Sequence, residues 1–116
     1  MVKHMKTGKR GEELALEFLL DLGYKVVAVN WRDQKYELDI VALDQEQLVF
    51  VEVKTRSTGA FGNPEEAVGD RKQQHLQEGA EYYLEKYGLD NECRFDVISI
   101  VFRQNHTQLR HIIQAF

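Results

Sequence analysis

Residues 37–55 read ELDIVALDQEQLVFVEVKT, and the arrangement of the whole chain can be built around this stretch. Two short runs rich in valine, isoleucine, leucine and phenylalanine, Glu37–Leu43 and Leu48–Thr55, predict β-strands. The polar residues 44–47 separate them, which predicts a tight turn. The two strands are therefore expected to form an antiparallel hairpin.

An even-numbered turn determines which residues face each other across this hairpin. With residues 45 and 46 at the turn, Leu43 faces Leu48. The same register places Asp39 opposite Glu52, with β-carbons roughly 5 Å apart, a spacing at which like charges repel. An odd-length loop would shift the pairing by one residue, so this geometry depends on the turn.

The charged residues of the hairpin share one face because strand side chains alternate. That face carries Glu37, Asp39, Glu52, Lys54 and Arg56. The apolar residues Leu38, Ile40, Val49, Val51 and Val53 line the other face. The register predicts that the charged side chains converge on one place.

Two facing carboxylates with a lysine two residues further along can bind a hard divalent cation. Mg²⁺ or Mn²⁺ suits oxygen ligands better than Zn²⁺, for which the sequence has no Cys or His cluster. Such a site suits phosphodiester hydrolysis, in which the metal activates water and an ammonium group stabilises the developing oxyanion. The alternative is a salt-bridged surface hairpin in which Glu37 pairs with Lys54, and the residues alone leave both interpretations open.

The segment Gly11–Leu22 predicts a helix, because its apolar residues recur with helical spacing and Gly23 is suited to end it. Its solvent side carries Glu13, Glu17 and Asp21. Glu12 instead shares its direction with Leu16 and Leu19, on the side that packs against the sheet. A carboxylate aimed inward needs a cation or hydrogen-bond donors. The alternative is a first-turn acid that is favoured by the helix dipole and reached by water.

The remaining predicted elements are a strand at Tyr24–Val29, a helix running to Tyr87, and two strands at Phe95–Phe102 and Leu109–Phe116. The segment Asn63–Glu66 has the composition of a helix start, with a side-chain cap followed by proline and then glutamate. Gly69 is a point at which this helix can divide into two pieces. The predicted order is α-β-β-β-α-β-β, an α/β chain.

Length and composition predict a single globular domain over residues 1–116. No apolar run approaches the roughly 18 residues of a membrane span and no signal peptide is visible, so we expect a cytoplasmic protein without a membrane partner. One cysteine, Cys93, fits a reducing compartment. The net charge of -4 argues at first against nucleic acid as a partner. The acids are clustered, however, and a bound divalent ion would offset part of that charge.

Asp39 followed thirteen residues later by Glu52-Val53-Lys54, and preceded by an inward helical Glu12, resembles the PD-(D/E)XK nuclease superfamily. The chain is more closely similar to the YraN-like family of small bacterial proteins. That resemblance rests on Gly11-Glu12, Ala15, Gly23-Tyr24, Asn30-Trp31-Arg32, Glu37-Leu38-Asp39, Phe50 to Arg56, Phe61-Gly62, Lys72, Arg94 to Val97 and Ala115-Phe116. The match covers nearly the whole chain.

The resemblance implies a restriction-endonuclease-like core, with a mixed sheet flanked by helices, and a metal-dependent endonuclease that hydrolyses nucleic acid. It implies that Asp39 and Glu52 bind Mg²⁺ or Mn²⁺, that Lys54 assists catalysis and that Glu12 completes the metal site; Glu37 is a further candidate acid. DNA is favoured over RNA, with branched recombination or repair intermediates as candidates. The analogy with small Holliday-junction resolvases, which act as dimers, allows a homodimer. The alternative function is a non-catalytic nucleic-acid-binding module that retains the nuclease fold.

Three basic residues are the predicted contacts for nucleic acid. Lys72 lies four residues before Leu76 and shares its helical face, from which it could reach a phosphate, helped by Arg71 and Arg56. A surface lysine that lays its aliphatic stem on the helix is an equal alternative for Lys72. One departure from the family pattern is Tyr36, a bulky residue where the family generally has glycine.

Two further polar residues receive structural interpretations. Asp96 faces the same way as Ile98 and Ile100, which predicts a buried, hydrogen-bonded acid. His111 has no partner spacing that indicates a metal site or a catalytic dyad, so we expect it at the surface.

Overall fold

The computed structural model describes residues 3–57 and 68–116. Its elements are α1 (Lys3–Asp21), β1 (Lys25–Asp33), β2 (Tyr36–Asp44), β3 (Gln47–Arg56), α2 (Asp70–Tyr87), β4 (Cys93–Phe102) and β5 (Thr107–Ile112). The described elements follow the predicted order α-β-β-β-α-β-β.

The five strands form one sheet in the order β1-β2-β3-β4-β5. Neighbouring strands are antiparallel except β3 and β4, which are parallel. Parallel strands need a long crossover connection, and α2 lies in the connection between these two. The sheet is therefore mixed and flanked by helices, as predicted.

Each face of the sheet has its own hydrophobic core. The α1 side buries Ala15, Leu19, Tyr24, Ile40, Ala42, Val49, Val51, Ile98 and Ile100. The α2 side buries Leu38, Val41, Leu48, Phe50, Val68, Leu76, Ala80, Tyr83 and Val97. Alternating residues of the central strands serve the two cores, which explains why these strands are apolar almost without interruption.

The predicted hairpin register is confirmed. Leu43 pairs with Leu48 and Ile40 with Val51, with Gln45 at the turn in the left-handed backbone region at φ 59°. Because the side-chain period is two, this register brings Asp39 and Glu52 to the end of one ladder.

The prediction that Leu38 shares a face with Ile40 is wrong, since Leu38 packs in the α2-side core. The neighbouring strand is irregular at the same place. Val29 pairs with Ile40 and Trp31 with Leu38, and Asn30 between them has φ 52°, which interrupts regular alternation. Asn30 thus lies opposite Asp39 at the point where β1 and β2 change the direction of their side chains.

Both helices differ from their predicted starts. Helix α1 begins at Lys3 rather than at the predicted Gly11. The prediction missed the first turns because they lack the apolar repeat by which an amphipathic helix is recognised. Helix α2 begins at Asp70, directly after Gly69, and ends at Gly88 with φ 62°. The helix-start signature Asn63–Glu66 lies outside the described residues. Within the described part of the chain, no helix is long and apolar enough to cross a membrane.

The last strand is shorter than predicted. Strand β5 ends at Ile112, not Phe116. Gln114 has φ 54° and donates its backbone N–H to Asp96, while the Ala115 N–H bonds to the Phe95 carbonyl. Phe116 stacks on Phe95 with ring centroids 5.1 Å apart. These contacts fold the end of the chain back over β4 and stop the strand.

Candidate functional site

Asp39 lies where the ladder between β2 and β3 stops. The backbone pairing ends at Ile40–Val51, and Asp39 Oδ2 accepts the backbone N–H of Val53 at 2.9 Å. The Asp39 side chain therefore bonds a backbone N–H of β3 that a main-chain carbonyl of β2 would have bonded if the strand pairing had continued. The carboxylate is thereby held in the fork between the two strands.

Glu52 is the buried partner in this fork. The residue is 7% exposed, and its Oε2 lies 3.5 Å from Lys54 Nζ and 3.3 Å from Lys72 Nζ. A carboxylate with so little hydration is stabilised by cations close to it. Lys54 comes from the same strand and Lys72 from α2, so two elements supply the charge.

Burial and the neighbouring acids together change the pKa of Asp39. Burial, followed by repulsion from Glu52, raises the pKa of Asp39 to about 7, with a further contribution from Glu12. The hydrogen bond from Val53 opposes this rise. Two carboxylates in one poorly hydrated place cannot both carry full charge without a compensating cation.

Glu12 approaches the pair from α1. Gly11 lets the helix come close, because a β-carbon there would overlap the Thr55 side chain of β3. Glu12 Oε1 is buried and has no hydrogen-bond partner among the described residues. A buried oxygen of this kind is rare in folded proteins unless a water or ion satisfies it.

The donors in this group suit a hard divalent cation better than a soft one. Glu12, Asp39 and Glu52 offer only carboxylate oxygens, which Mg²⁺ and Mn²⁺ prefer. In residues 3–57 and 68–116, however, no three His, Cys, Asp or Glu residues are already spaced to hold a metal ion. The ligand chemistry fits the predicted cation, whereas the carboxylates are not preassembled around a metal position.

The structure does not bring every predicted residue to this group. The Glu37 carboxylate lies 3.0 Å from the Arg32 guanidinium, and both side chains are exposed, so the alternative pairing of Glu37 with Lys54 is not formed. Arg71 is exposed on α2. Arg56 is half-buried at the end of β3, with a buried Nε that has no hydrogen-bond partner within the described segments.

Tyr36 packs onto α2. Its ring centroid lies 5.3 Å from that of His75 and 5.4 Å from that of Tyr82. A β-carbon on Gly79 would lie 3.4 Å from Tyr36 Cδ1, so Tyr36 packs closely against the helix at this glycine. The bulky residue is thus accommodated by a glycine in the middle of α2.

A second polar cluster lies between β4, β5 and α1. The sequence predicted the burial of Asp96 in this cluster but not that of His111. Asp96 is fully buried, as predicted, and accepts hydrogen bonds from Arg94, His111 and the Gln114 backbone. The surface prediction for His111 is wrong, because its side chain is 7% exposed. His111 lies two residues after Leu109, which packs against the α1-side core, so strand alternation could have revealed its inward direction.

The charge in this second cluster is compensated internally. Burial opposes ionisation of Asp96, but the hydrogen bonds from His111 and Arg94 outweigh it and hold the pKa of Asp96 below its usual range. Arg94 also contacts Asp44 at 3.0 Å and the Tyr24 hydroxyl at 2.7 Å. The cluster ties β4 to Tyr24 directly before β1, to the hairpin turn and to the end of the chain, which is a structural role.

Comparison with known proteins identifies the family. A family model described as Uncharacterised protein family UPF0102 matches residues 11–100. The chain belongs to this family. The match includes Glu12, Asp39, Glu52, Lys54 and Lys72. The predicted resemblance to YraN-like proteins is thereby confirmed at the level of the family.

Relatives of the UPF0102 family match over nearly their full length. A UPF0102 protein of Christiangramia forsetii is 43% identical over 116 residues, covering 100% of this chain and 98% of the relative. One from Porphyromonas gingivalis is 48% identical over 118 residues, covering 100% and 87% respectively. One from Alkaliphilus oremlandii is 40% identical over 114 residues, covering 96% and 97%.

Proposed function

We propose that this UPF0102 protein is a metal-dependent endonuclease that hydrolyses phosphodiester bonds, with DNA favoured over RNA. The observation that carries the proposal is the fork where the half-buried Asp39 meets the buried Glu52, with two lysines beside Glu52. Glu12 of α1 adds a buried oxygen that has no hydrogen-bond partner among the described residues. Adjacent carboxylates with a lysine suit hydrolysis of a phosphodiester. The resemblance to PD-(D/E)XK nucleases, with a restriction-endonuclease-like core, points the same way.

Each residue of the group has a distinct role in this proposal. Asp39, Glu52 and Glu12 are the ligands of a Mg²⁺ or Mn²⁺ ion. When bound, that ion would activate water and neutralise charge on the phosphate. Lys54 lies beside Glu52 and places an ammonium group where negative charge develops on the phosphate oxygens.

Cations near the group favour an anionic substrate. Lys72 is solvent-accessible next to Glu52, and the buried Arg56 Nε lacks a hydrogen-bond partner in the part of the chain that the structure describes. Arg56 lies on β3, the strand that also carries Glu52. Lys72 lies on α2, which brings its ammonium group to Glu52. Branched DNA and a homodimer belong to the same proposal as expectations from the resemblance, and a cytoplasmic location as an expectation from the sequence composition.

The test is cleavage of linear, single-stranded and branched DNA and RNA with Mn²⁺ or Mg²⁺. We expect cleavage by the wild type and a loss of at least about a hundred-fold for Glu52→Gln and Glu12→Gln. Glu13→Gln is the matched control, because Glu13 is an exposed neighbour on the same helix turn. Absence of divalent-dependent cleavage on every substrate would defeat the proposal.

One observation favours a second candidate, a nucleic-acid-binding module without catalysis. Lys54 and Lys72 already neutralise Glu52, so the charge of this carboxylate is compensated without a metal. In this case Asp39→Ala and Lys54→Ala would leave nucleic-acid binding intact, and calorimetry would detect no binding of divalent ions.

A further inference from the structure

Two ammonium groups share a single oxygen of Glu52. Lys54 Nζ and Lys72 Nζ both approach Oε2, at 3.5 Å and 3.3 Å. A divalent cation that takes this oxygen meets two positive charges within a few ångströms. At least one lysine must therefore move away when a metal binds there.

The two lysines differ in how freely they can leave. Lys54 projects from β3 two residues after Glu52, so its backbone is tied to that of the carboxylate, and its side chain is 28% exposed. Lys72 reaches in from another element and its side chain is 45% exposed. Water can hydrate the Lys72 ammonium as soon as it departs, which makes Lys72 the lysine that yields.

The position of Lys72 along α2 also needs an explanation. It is the third residue of the helix, where the aligned peptide dipoles place partial positive charge and a cation is disfavoured. Nearby acids offset this cost, and Asp70 in the same first turn is one of them. Glu52, 3.3 Å from the ammonium group, is a second acid, and a phosphate group would serve in its place.

We infer that Lys72 is an exchangeable counter-ion, which neutralises Glu52 in the metal-free protein and transfers to a phosphate of the nucleic acid when a divalent cation takes Glu52 Oε2. This inference rests on the proposed metal-dependent function. It gives Lys72 a positioning role that couples the metal to the substrate. Each ligand then favours the other, because metal binding releases the cation that contacts the phosphate.

The test measures Mn²⁺ and DNA separately on the full chain. Calorimetry with Mn²⁺ alone compares wild type with Lys72→Gln and Lys72→Arg. We expect Lys72→Gln to bind Mn²⁺ about three- to ten-fold more tightly, because a competing cation is gone. Lys72→Arg keeps the charge and should stay close to wild type. Lys25→Gln is the control, since Lys25 is exposed and pairs with Leu43, four residues from Asp39 along β2.

DNA affinity should change in the opposite direction. In fluorescence anisotropy with Mn²⁺ and an oligonucleotide that gels show to be intact, Lys72→Gln should bind about three- to ten-fold more weakly than wild type. A purely structural lysine would weaken both equilibria when removed. Mn²⁺ affinity that is unchanged or weaker in Lys72→Gln, with wild type still binding, would overturn this inference alone. Absence of Mn²⁺ binding in every protein would overturn the proposed function itself.

Discussion

Gly11 of α1 lies against Thr55 of β3 so closely that a β-carbon at residue 11 would overlap the Thr55 methyl group and come within 3.3 Å of Thr55 Cβ. Thr55 directly follows Lys54, and Glu12 directly follows Gly11. This contact therefore sets how near the helical acid comes to the acids of the strands.

The substitution Gly11→Ala should destabilise the protein. A forced contact with backbone-anchored atoms costs about 1–3 kcal/mol, which exceeds the roughly 1 kcal/mol that alanine contributes in a helix. Gly8→Ala in the same helix is the matched control, because nothing lies within 4 Å of a β-carbon there. Urea denaturation should give a lower midpoint for Gly11→Ala and a slightly higher one for Gly8→Ala. Equal midpoints for the two variants would mean that α1 is free to shift.

The left-handed backbone of Asn30 should tolerate glycine but not a β-branched residue. Asn30 has φ 52°, a conformation that costs most residues roughly 1–2 kcal/mol and valine more. Asn30→Gly should retain wild-type stability, whereas Asn30→Val should lose on the order of 2 kcal/mol in urea denaturation. Because Asn30 lies opposite Asp39, Asn30→Val should also weaken Mn²⁺ binding in calorimetry. Similar behaviour of the two variants would show that the bend does not depend on residue 30.

Replacement of Asp39 by asparagine should stabilise the metal-free protein at neutral and higher pH. The pKa of Asp39 is about 7 in the fold, because of burial and repulsion from Glu52, and about 3.9 in an unfolded chain. The folded state therefore holds a proton that the unfolded chain releases, so this contribution to stability is complete below about pH 4 and is lost as pH rises through 7. Urea denaturation in chelator should show Asp39→Asn gaining on wild type by about 2–4 kcal/mol between pH 4 and 8. Asp21→Asn, an exposed change on α1, should follow the wild-type curve.

Excess Mn²⁺ should offset most of this difference in stability. A ligand at 100 times its dissociation constant stabilises the state that binds it by about 2.7 kcal/mol. At pH 8 the wild type should gain this stabilisation from Mn²⁺, whereas Asp39→Asn should gain little of it because it lacks one carboxylate of the group. Equal gains would place the ion elsewhere.

The second cluster should respond to acid in the opposite sense. The pKa of Asp96 lies below its usual range despite burial, because hydrogen bonds from His111 and Arg94 favour the carboxylate. Its stabilising contribution is present above about pH 4 and is lost as pH falls through the lower folded value. Asp96→Asn should be less stable than wild type by about 3–5 kcal/mol at pH 7, since Arg94 loses its buried partner. Unfolding followed by circular dichroism should show that the stability difference between Asp96→Asn and wild type narrows towards pH 2. A difference that stays constant with pH would contradict the lowered pKa of Asp96. Asp90→Asn is the exposed control.

Local sequence rules determined the hairpin at the centre of this protein. Alternating side chains and a two-residue turn were sufficient to predict the pairing of Leu43 with Leu48, which brings Asp39 and Glu52 to the end of one ladder. The helix end at Gly88 and the burial of Asp96 followed from equally local patterns. These features are predictable because each depends on the φ of one residue or on the period of one strand.

Tertiary structure decided which side chains join the carboxylates. Lys72 reaches Glu52 because α2 crosses the sheet at that place, and Glu37 turns away to Arg32 on the neighbouring strand. Leu38 packs on the α2 side at a place where its neighbouring strand β1 has the left-handed residue Asn30, eight residues earlier in the chain. Contacts of this kind are set by the distance and angle between separate elements, and those quantities follow from the packing of whole cores rather than from any local pattern of residues.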